Sequence, residues 1–255
     1  MQGTLPMPSE PPDPLLAPTL AAFGDKPRAV LDRLSALAFR GVQLSALQPG
    51  MRPRELDRSG RRDLLGRLRH LEIAPAGLDL WIPEAHYRDS ARIDRVVGAI
   101  QAAVELAADL GRVSLSLLLP RRDEAQDPIE PVLAAVIEKS LRWGVPLADC
   151  EVPPSDRADV GVGIDPVIWL RSGRDPVDAV AAHAERVQSV RLGDLTASGD
   201  RIPVGDVDQG RLDLGAYRRA LRMCGYNAPV VVDVGRAGDP WRQLAESAHA
   251  WEAAG

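Results

Sequence analysis

Short apolar runs alternate along the chain with longer stretches whose apolar positions recur at helical spacing, the pattern of repeated strand–helix units. Leu16–Phe23 reads as a first strand and Lys26–Phe39 as a helix, with Val30, Leu31, Leu34 and Leu37 on one face. Gly41–Leu47 is a second strand, Arg61–Leu71 a helix, and Ile73–Ile82 a third strand. Asp89–Leu110 reads as a long helix stopped by Gly111. Val113–Leu119, Val145–Val152 and Val160–Asp165 follow as strands, with a helix over Pro128–Trp143 and a short proline-rich link without one between the last two strands. Pro176–Arg186, Asp213–Cys224 and Asp239–Ala253 read as helices, and Val187–Leu192 and Pro229–Val234 as the seventh and eighth strands. Eight strands with mostly intervening helices match a single (β/α)8 TIM barrel, an α/β fold of typically about 250 residues. An open doubly wound sheet is the alternative, but no strand-to-helix turn carries a glycine-rich phosphate signature.

Composition narrows the function classes. The chain of 255 residues is 45% hydrophobic and 26% charged, with a formal net charge of −5. That sum gives no electrostatic reason to expect nucleic acid or an anionic membrane surface as partner. No apolar run has the length of a membrane-spanning helix. Residues 1–15 are rich in proline and lack the basic start and apolar core of a secretion signal. They read as an irregular lead-in to a barrel over 16–255. Two widely spaced cysteines, Cys150 and Cys224, form neither a disulfide framework nor a zinc motif, so a cytoplasmic protein is expected.

Four pieces of the chain resemble a known family. They are FRGVQL at Phe39–Leu44, GVGIDPVIWLRSGRDPVDAV at Gly161–Val180, RVQSVRLGD at Arg186–Asp194, and IPVGDVDQGRLDLGAYRRALRMCGYNAPVVVDV, which ends at Val234. Loop, helix, GY turn and strand follow in the order found in xylose isomerase-like TIM barrels. These are the sugar isomerases, sugar-phosphate epimerases and type IV endonucleases. The resemblance implies a site at the carboxyl ends of the strands holding one divalent metal, Mn, Zn, Mg or Co. Its ligands would be an acid on strand five, Asp on six, His on seven and Glu on eight. The resemblance also implies a sugar or sugar phosphate as the small polar partner, and pairing into a homodimer is common in the family.

Transferred residue by residue, the ligand set is incomplete. Asp165 matches the strand-six acid and Asp233 stands at the strand-eight acid. On strand five a gapless reading places Cys150 at the ligand position, and a slip of one residue brings Glu151 inward; adjacent residues face opposite sides, so only one can point to the axis. Arg191 stands where the strand-seven histidine is usual, and Ile168 replaces the histidine that commonly follows the strand-six Asp. A guanidinium has no lone pair to offer and stays charged. Near a dication it would cost roughly several kcal/mol at about 4 Å. If a metal binds, Glu151, Asp165 and Asp233 are the ligands that remain. The alternative is a metal-free cluster in which Glu151, Asp165 and Asp233 surround Arg191 as an electrophilic clamp and carry the catalysis. Of the four histidines, His86 alone follows a strand end. His86, Trp81, Trp169 and Asp194 are the candidate substrate contacts, with loop capping and core packing as their competing roles. Asp206 and Asp208 read as turn and cap formers. The reading that follows is an isomerase or epimerase-like protein with an altered site. The alternative is a non-catalytic relative that binds a small polar ligand or serves as a scaffold, and a scaffold predicts a pocket filled by apolar side chains.

Overall fold

The computed structural model describes residues 14–24, 26–121, 129–205, 209–234 and 238–255. Eight parallel strands form one sheet in the order β1 (Leu16–Pro18), β10 (Val230–Val232), β7 (Val187–Leu192), β6 (Gly161–Ile164), β5 (Leu147–Asp149), β4 (Leu115–Leu117), β3 (Ala74–Leu80) and β2 (Gly41–Ser45). A parallel bridge between Thr19 and Gln43 brings the two edges together. The sheet is thus a nearly closed barrel, the (β/α)8 architecture that the alternation of runs predicts. The helices around it are α1 (Pro27–Ala36), α2 (Arg58–His70), α3 (Glu84–Tyr87), α4 (Ile93–Asp109), α5 (Glu130–Trp143), α6 (Pro166–Arg171), α7 (Pro176–Ala182), α8 (Leu214–Met223) and α9 (Pro240–Ala253). None of the described helices is long and apolar enough to cross a membrane.

Three departures from the sequence reading have local causes. The first strand ends at Pro18, and Leu20–Phe23 coil into a 3-10 turn. Pro166–Arg171 is helical although Asp165–Arg171 carries no long period. Asp165 caps it, its Oδ1 accepting from Val167 N at 3.0 Å, and Pro166 at the first position supplies the fixed φ of a helix start. The polar stretch after β7 contains a small antiparallel hairpin, β8 (Asp194–Leu195) with β9 (Arg201–Ile202). As expected, no helix separates β5 from β6. Asp206 and Asp208 lie outside the described residues, as does most of the proline-rich lead-in.

The strands divide their labour by face. Outward positions such as Leu44, Leu78, Leu117, Leu147, Ile164, Val190 and Val232 join one apolar cluster with the helices. Each such side chain, fully buried, contributes roughly 1.5–3 kcal/mol. Inward positions alternate with these and are small or polar. Asp79, Ser116 and Ala148 are register partners on β3, β4 and β5, and Gly163 partners Ser189 on β6 and β7. Ser116 donates its hydroxyl across the lumen to Ser189 at 3.0 Å. The apolar shell lies outside the barrel, and the lumen is left to polar chemistry.

Candidate active site

The inward alternation of β7 places Ser189 and Arg191 in the lumen and Val190 and Leu192 against the helices. Arg191 is the next-to-last residue of its strand, so its guanidinium stands at the carboxyl end of the barrel, the face where TIM-barrel sites form. Asp165 follows β6, Asp233 follows β10, and Asp79 stands one residue before the end of β3. All three carboxyl groups converge on Arg191. Its NH2 donates to Asp233 Oδ2 at 3.0 Å, its NH1 lies 3.7 Å from Asp79 Oδ2, and its Nε lies 3.8 Å from Asp165 Oδ2. The Trp81 ring closes another side, with the guanidinium carbon 5.1 Å from its centroid, a cation–π distance. Tyr217 holds the strand below by donating its hydroxyl to the Arg191 carbonyl at 3.2 Å.

A second guanidinium completes the cluster. Arg201, on β9 of the hairpin, donates through NH2 to Asp165 Oδ2 at 2.7 Å and through NH1 to Asp233 Oδ2 at 2.9 Å. One arginine thus bridges the strand-six and strand-eight acids from above while the other meets them from within the lumen. Sequence reasoning missed Arg201, because it sits in a segment read as polar loop. The signal available was the short alternation around Arg201 and Ile202, too brief to mark a strand. Asp79 too was absent from the sequence candidates, though its place on β3 aims it at the axis.

Burial and charge oppose each other here. Burial alone works against the charge on Arg191, yet Asp233, Asp79 and Asp165 outweigh it and hold its pKa above the ordinary arginine value. Arg201 is held up in the same way: burial opposes its charge, and Asp165 and Asp233 prevail. Asp79 goes the other way. Its burial raises its pKa above the usual carboxylate range despite Arg191 beside it, with the Ser45 hydroxyl and the Trp81 indole adding smaller support for the charged form. Asp79 Oδ1, Arg191 Nε and Arg191 NH1 have no hydrogen-bond partner, although both side chains are only 2% exposed.

The structure settles which strand-five residue faces the axis. Cys150 is fully buried in the lumen, where its Sγ would lie 2.2 Å from a Cβ placed on Gly163. Burial pushes its thiol pKa up, so it is no ready nucleophile. Glu151 turns the other way and pairs with Arg121 at 3.0 Å. It is not brought to the cluster around Arg191. Asp149 fastens the loops beside it, accepting from the backbone N–H of Leu119, Glu151 and Ser155. Asp194 does similar work: its Oδ1 accepts from the N–H groups of Leu195, Arg211 and Leu212 at 2.7–2.9 Å. His86, in α3, pairs its Nε2 with Arg92 NH1 at 2.6 Å and stays outside the cluster. Trp169 is buried in the outer apolar shell with its ring 6.0 Å from that of His183. It does not line the pocket that sequence order suggested for it, because α6 turns it toward α7. Of the four candidate substrate contacts, Trp81 is the one that reaches the charged cluster.

A cavity of about 240 Å³ opens over the cluster, lined by Asp79, Trp81, Arg191 and Asp233 together with Ser45, Gln48 and Thr19 among others. Its walls join these charged and hydroxyl groups to the Trp81 ring and to the apolar side chains of Ala21, Ala22, Leu47 and Pro49. A larger groove of about 980 Å³ lies between α9 and the chain after β9, lined by Asp194, Arg242, Glu246 and His249 among others. None of Asp79, Arg191 and Asp233 reaches it. For a divalent metal, the donor set does not fit: among the described residues no group of three or more His, Cys, Asp or Glu side chains is arranged to hold an ion. Asp165 and Asp233 converge, but on guanidinium groups at hydrogen-bonding distance, where a dication would meet fixed positive charge.

No protein-family model and no curated protein sequence matches the chain. Solved structures match its fold over nearly its whole length. A xylose isomerase domain protein from Planctomyces limnophilus superposes with a TM-score of 0.75 at 16% identity, covering 96% of this chain and 97% of its own. An L-ribulose 3-epimerase gives 0.70 at 16% identity, with 95% of each chain covered. A D-allulose 3-epimerase from Methylomonas sp., solved with D-allulose, gives 0.66 at 12% identity, covering 94% and 91%. The fold is therefore that of the xylose isomerase-like TIM barrels.

Proposed function

We propose that the chain is a sugar or sugar-phosphate isomerase or epimerase-like protein whose active site has exchanged the metal for a pair of guanidinium groups. The observation that carries this reading is the position of Arg191. It stands among the acids at the carboxyl ends of the strands, under a cavity, in a fold shared with sugar epimerases. In such chemistry a carbonyl and a neighbouring hydroxyl interconvert, or a stereocentre inverts, through loss and return of a proton on the adjacent carbon. Arg191 supplies the positive charge that steadies the oxygen as negative charge builds on it. Asp79, with Oδ1 unpartnered and its pKa raised by burial, is the carboxyl group placed to move the proton. Asp165 and Asp233 hold the two arginines and orient them; Trp81 offers a flat wall for the ligand's apolar face. Glu151, engaged with Arg121, has no part in this assignment. The presence of Asp79, Arg191 and Asp233 among the residues that line the cavity favours this reading over an inert scaffold.

Incubation with a panel of pentoses, hexoses and their phosphates in deuterated water tests it. Deuterium should appear at the carbon next to the carbonyl, at the same rate with chelator or with Mn²⁺. Arg191→Met should reduce that exchange by about 10²-fold or more, the scale of losing one charge-stabilising donor. One tightly held metal per chain, or exchange that stops with chelator, would refute the guanidinium reading. Absence of exchange across the panel would refute the catalytic one.

A further inference from the structure

The unpaired atoms on the cavity floor specify more than a general sugar site. Arg191 NH1 and Asp79 Oδ2 are 3.7 Å apart, too far for a direct hydrogen bond. Asp79 Oδ1 and Arg191 NH1 and Nε are left without partners, in side chains that are almost wholly buried. Buried donors and acceptors left unmade are costly, and each calls for a partner. One small group answers both sides at once. A hydroxyl donates to Asp79 Oδ1 and accepts from Arg191 NH1. A phosphate or carboxylate oxygen only accepts, so it would satisfy Arg191 and repel Asp79.

The charge inventory points the same way. Two guanidinium groups face three carboxyl groups, and both are already committed to Asp165 or Asp233. Arg191 is the one cation among the described residues that line the cavity. A dianionic phosphoryl group would find no uncommitted cation there and would meet Asp79 and Asp233. The volume of about 240 Å³ is also small beside the roughly 300–1,000 Å³ of typical ligand pockets, which suits one monosaccharide ring. We infer that the cavity takes an uncharged polyhydroxyl compound, seated by a hydroxyl between Asp79 and Arg191, and turns away the phosphorylated form of the same compound. This rests on the placement of the active site in that cavity.

Matched pairs test it by titration calorimetry and by saturation-transfer NMR on the full chain. The probes are D-fructose, D-ribulose, D-xylulose and myo-inositol, each beside its own monophosphate. At least one uncharged member should bind, with its phosphate weaker by about tenfold or more. Asp79→Asn, nearly isosteric, should weaken the uncharged ligand and narrow the preference over its phosphate by about tenfold. Asp79→Ser serves if the first variant does not fold, as judged by circular dichroism. A phosphate that binds as tightly as its uncharged partner overturns the inference, as does the failure of every pair to bind. Binding without turnover leaves the inference standing and removes the isomerase reading. Turnover of phosphorylated members alone does the reverse.

Discussion

Replacing Arg191 by methionine removes the charge at the centre of the cluster while filling most of its volume. The guanidinium has Asp233 at 3.0 Å, Asp79 at 3.7 Å and Asp165 at 3.8 Å. At an effective dielectric near 20, each such pair is worth about 4 kcal/mol gross, so the three sum to roughly 12 kcal/mol before costs. Desolvating the guanidinium takes back several kcal/mol, and repulsion from Arg201 takes back more. The net loss on breaking a buried pair is about 3–5 kcal/mol, because the acids stay behind without their counter-charge. Arg201 still bridges Asp165 and Asp233, which keeps the estimate at that level rather than above it. Asp79 has no such substitute and becomes the most exposed to the loss. Urea unfolding at pH 7 should therefore show a deficit of about 3–5 kcal/mol against wild type. The deficit should shrink toward pH 5, as carboxyl groups lacking their cation take up protons and lose the penalty. Arg191→Lys should fall between, since an ammonium keeps the charge and loses the planar fork. If Arg191→Met unfolds within about 1 kcal/mol of wild type at pH 7, the cluster is not the electrostatic unit described here.

Three further outcomes follow from the geometry. Asp79 has a raised pKa in the fold, so its contribution to stability is present in full below its unfolded value of 3.8 and is lost as pH rises through the folded value. The stability of wild type minus that of Asp79→Asn should thus decline as pH rises from about 4, and a difference that grows with pH would sink the assignment. Arg201→Met should release the hairpin β8–β9 from Asp165 and Asp233, speeding amide exchange at Thr196, whose N–H donates to the Asp200 carbonyl; unchanged exchange there would show that the arginine does not anchor it. Gly163→Ala puts a methyl 2.2 Å from Cys150 Sγ and should cost about 1–3 kcal/mol, with Cys150→Ala in the same chain recovering most of it. Equal stability of the single and double variants by thermal unfolding would contradict that contact.

Much of the barrel was legible because its two periodicities are strong. Strands such as Gly41–Ser45 and Val187–Leu192 are short, alternate apolar with polar positions and are flanked by helices with a clear buried face, so neither tertiary context nor turn chemistry overrides them. The inward facing of Arg191 was legible for the same reason: strand alternation fixes which residue of VRLGD faces the axis. What escaped depended on chain folding beyond a strand. Arg201 reaches the acids only because a hairpin folds back over the barrel mouth, and two-residue strands leave almost no pattern. Trp169 follows Asp165 closely in sequence, yet a helix of six residues rotates it into the outer shell. Whether Cys150 or Glu151 faced inward turned on a single-residue register, which the β5–β6 pairing of Ala148 with Gly161 and Asp149 with Val162 decides.

Both cations of the site come from one stretch, Arg191 at the end of β7 and Arg201 on the hairpin that follows it, while the acids they meet are scattered over β3, β6 and β10. The positive half of the site is therefore a cassette and the negative half belongs to the scaffold. A barrel of the same fold that already presents acids on those strands could receive both charges through one contiguous replacement. Neither arginine would then have to become established alone, in a lumen where a lone guanidinium or an unanswered carboxylate is a liability. On the proposed reading, a change of this one stretch would bring in or remove both guanidinium groups together.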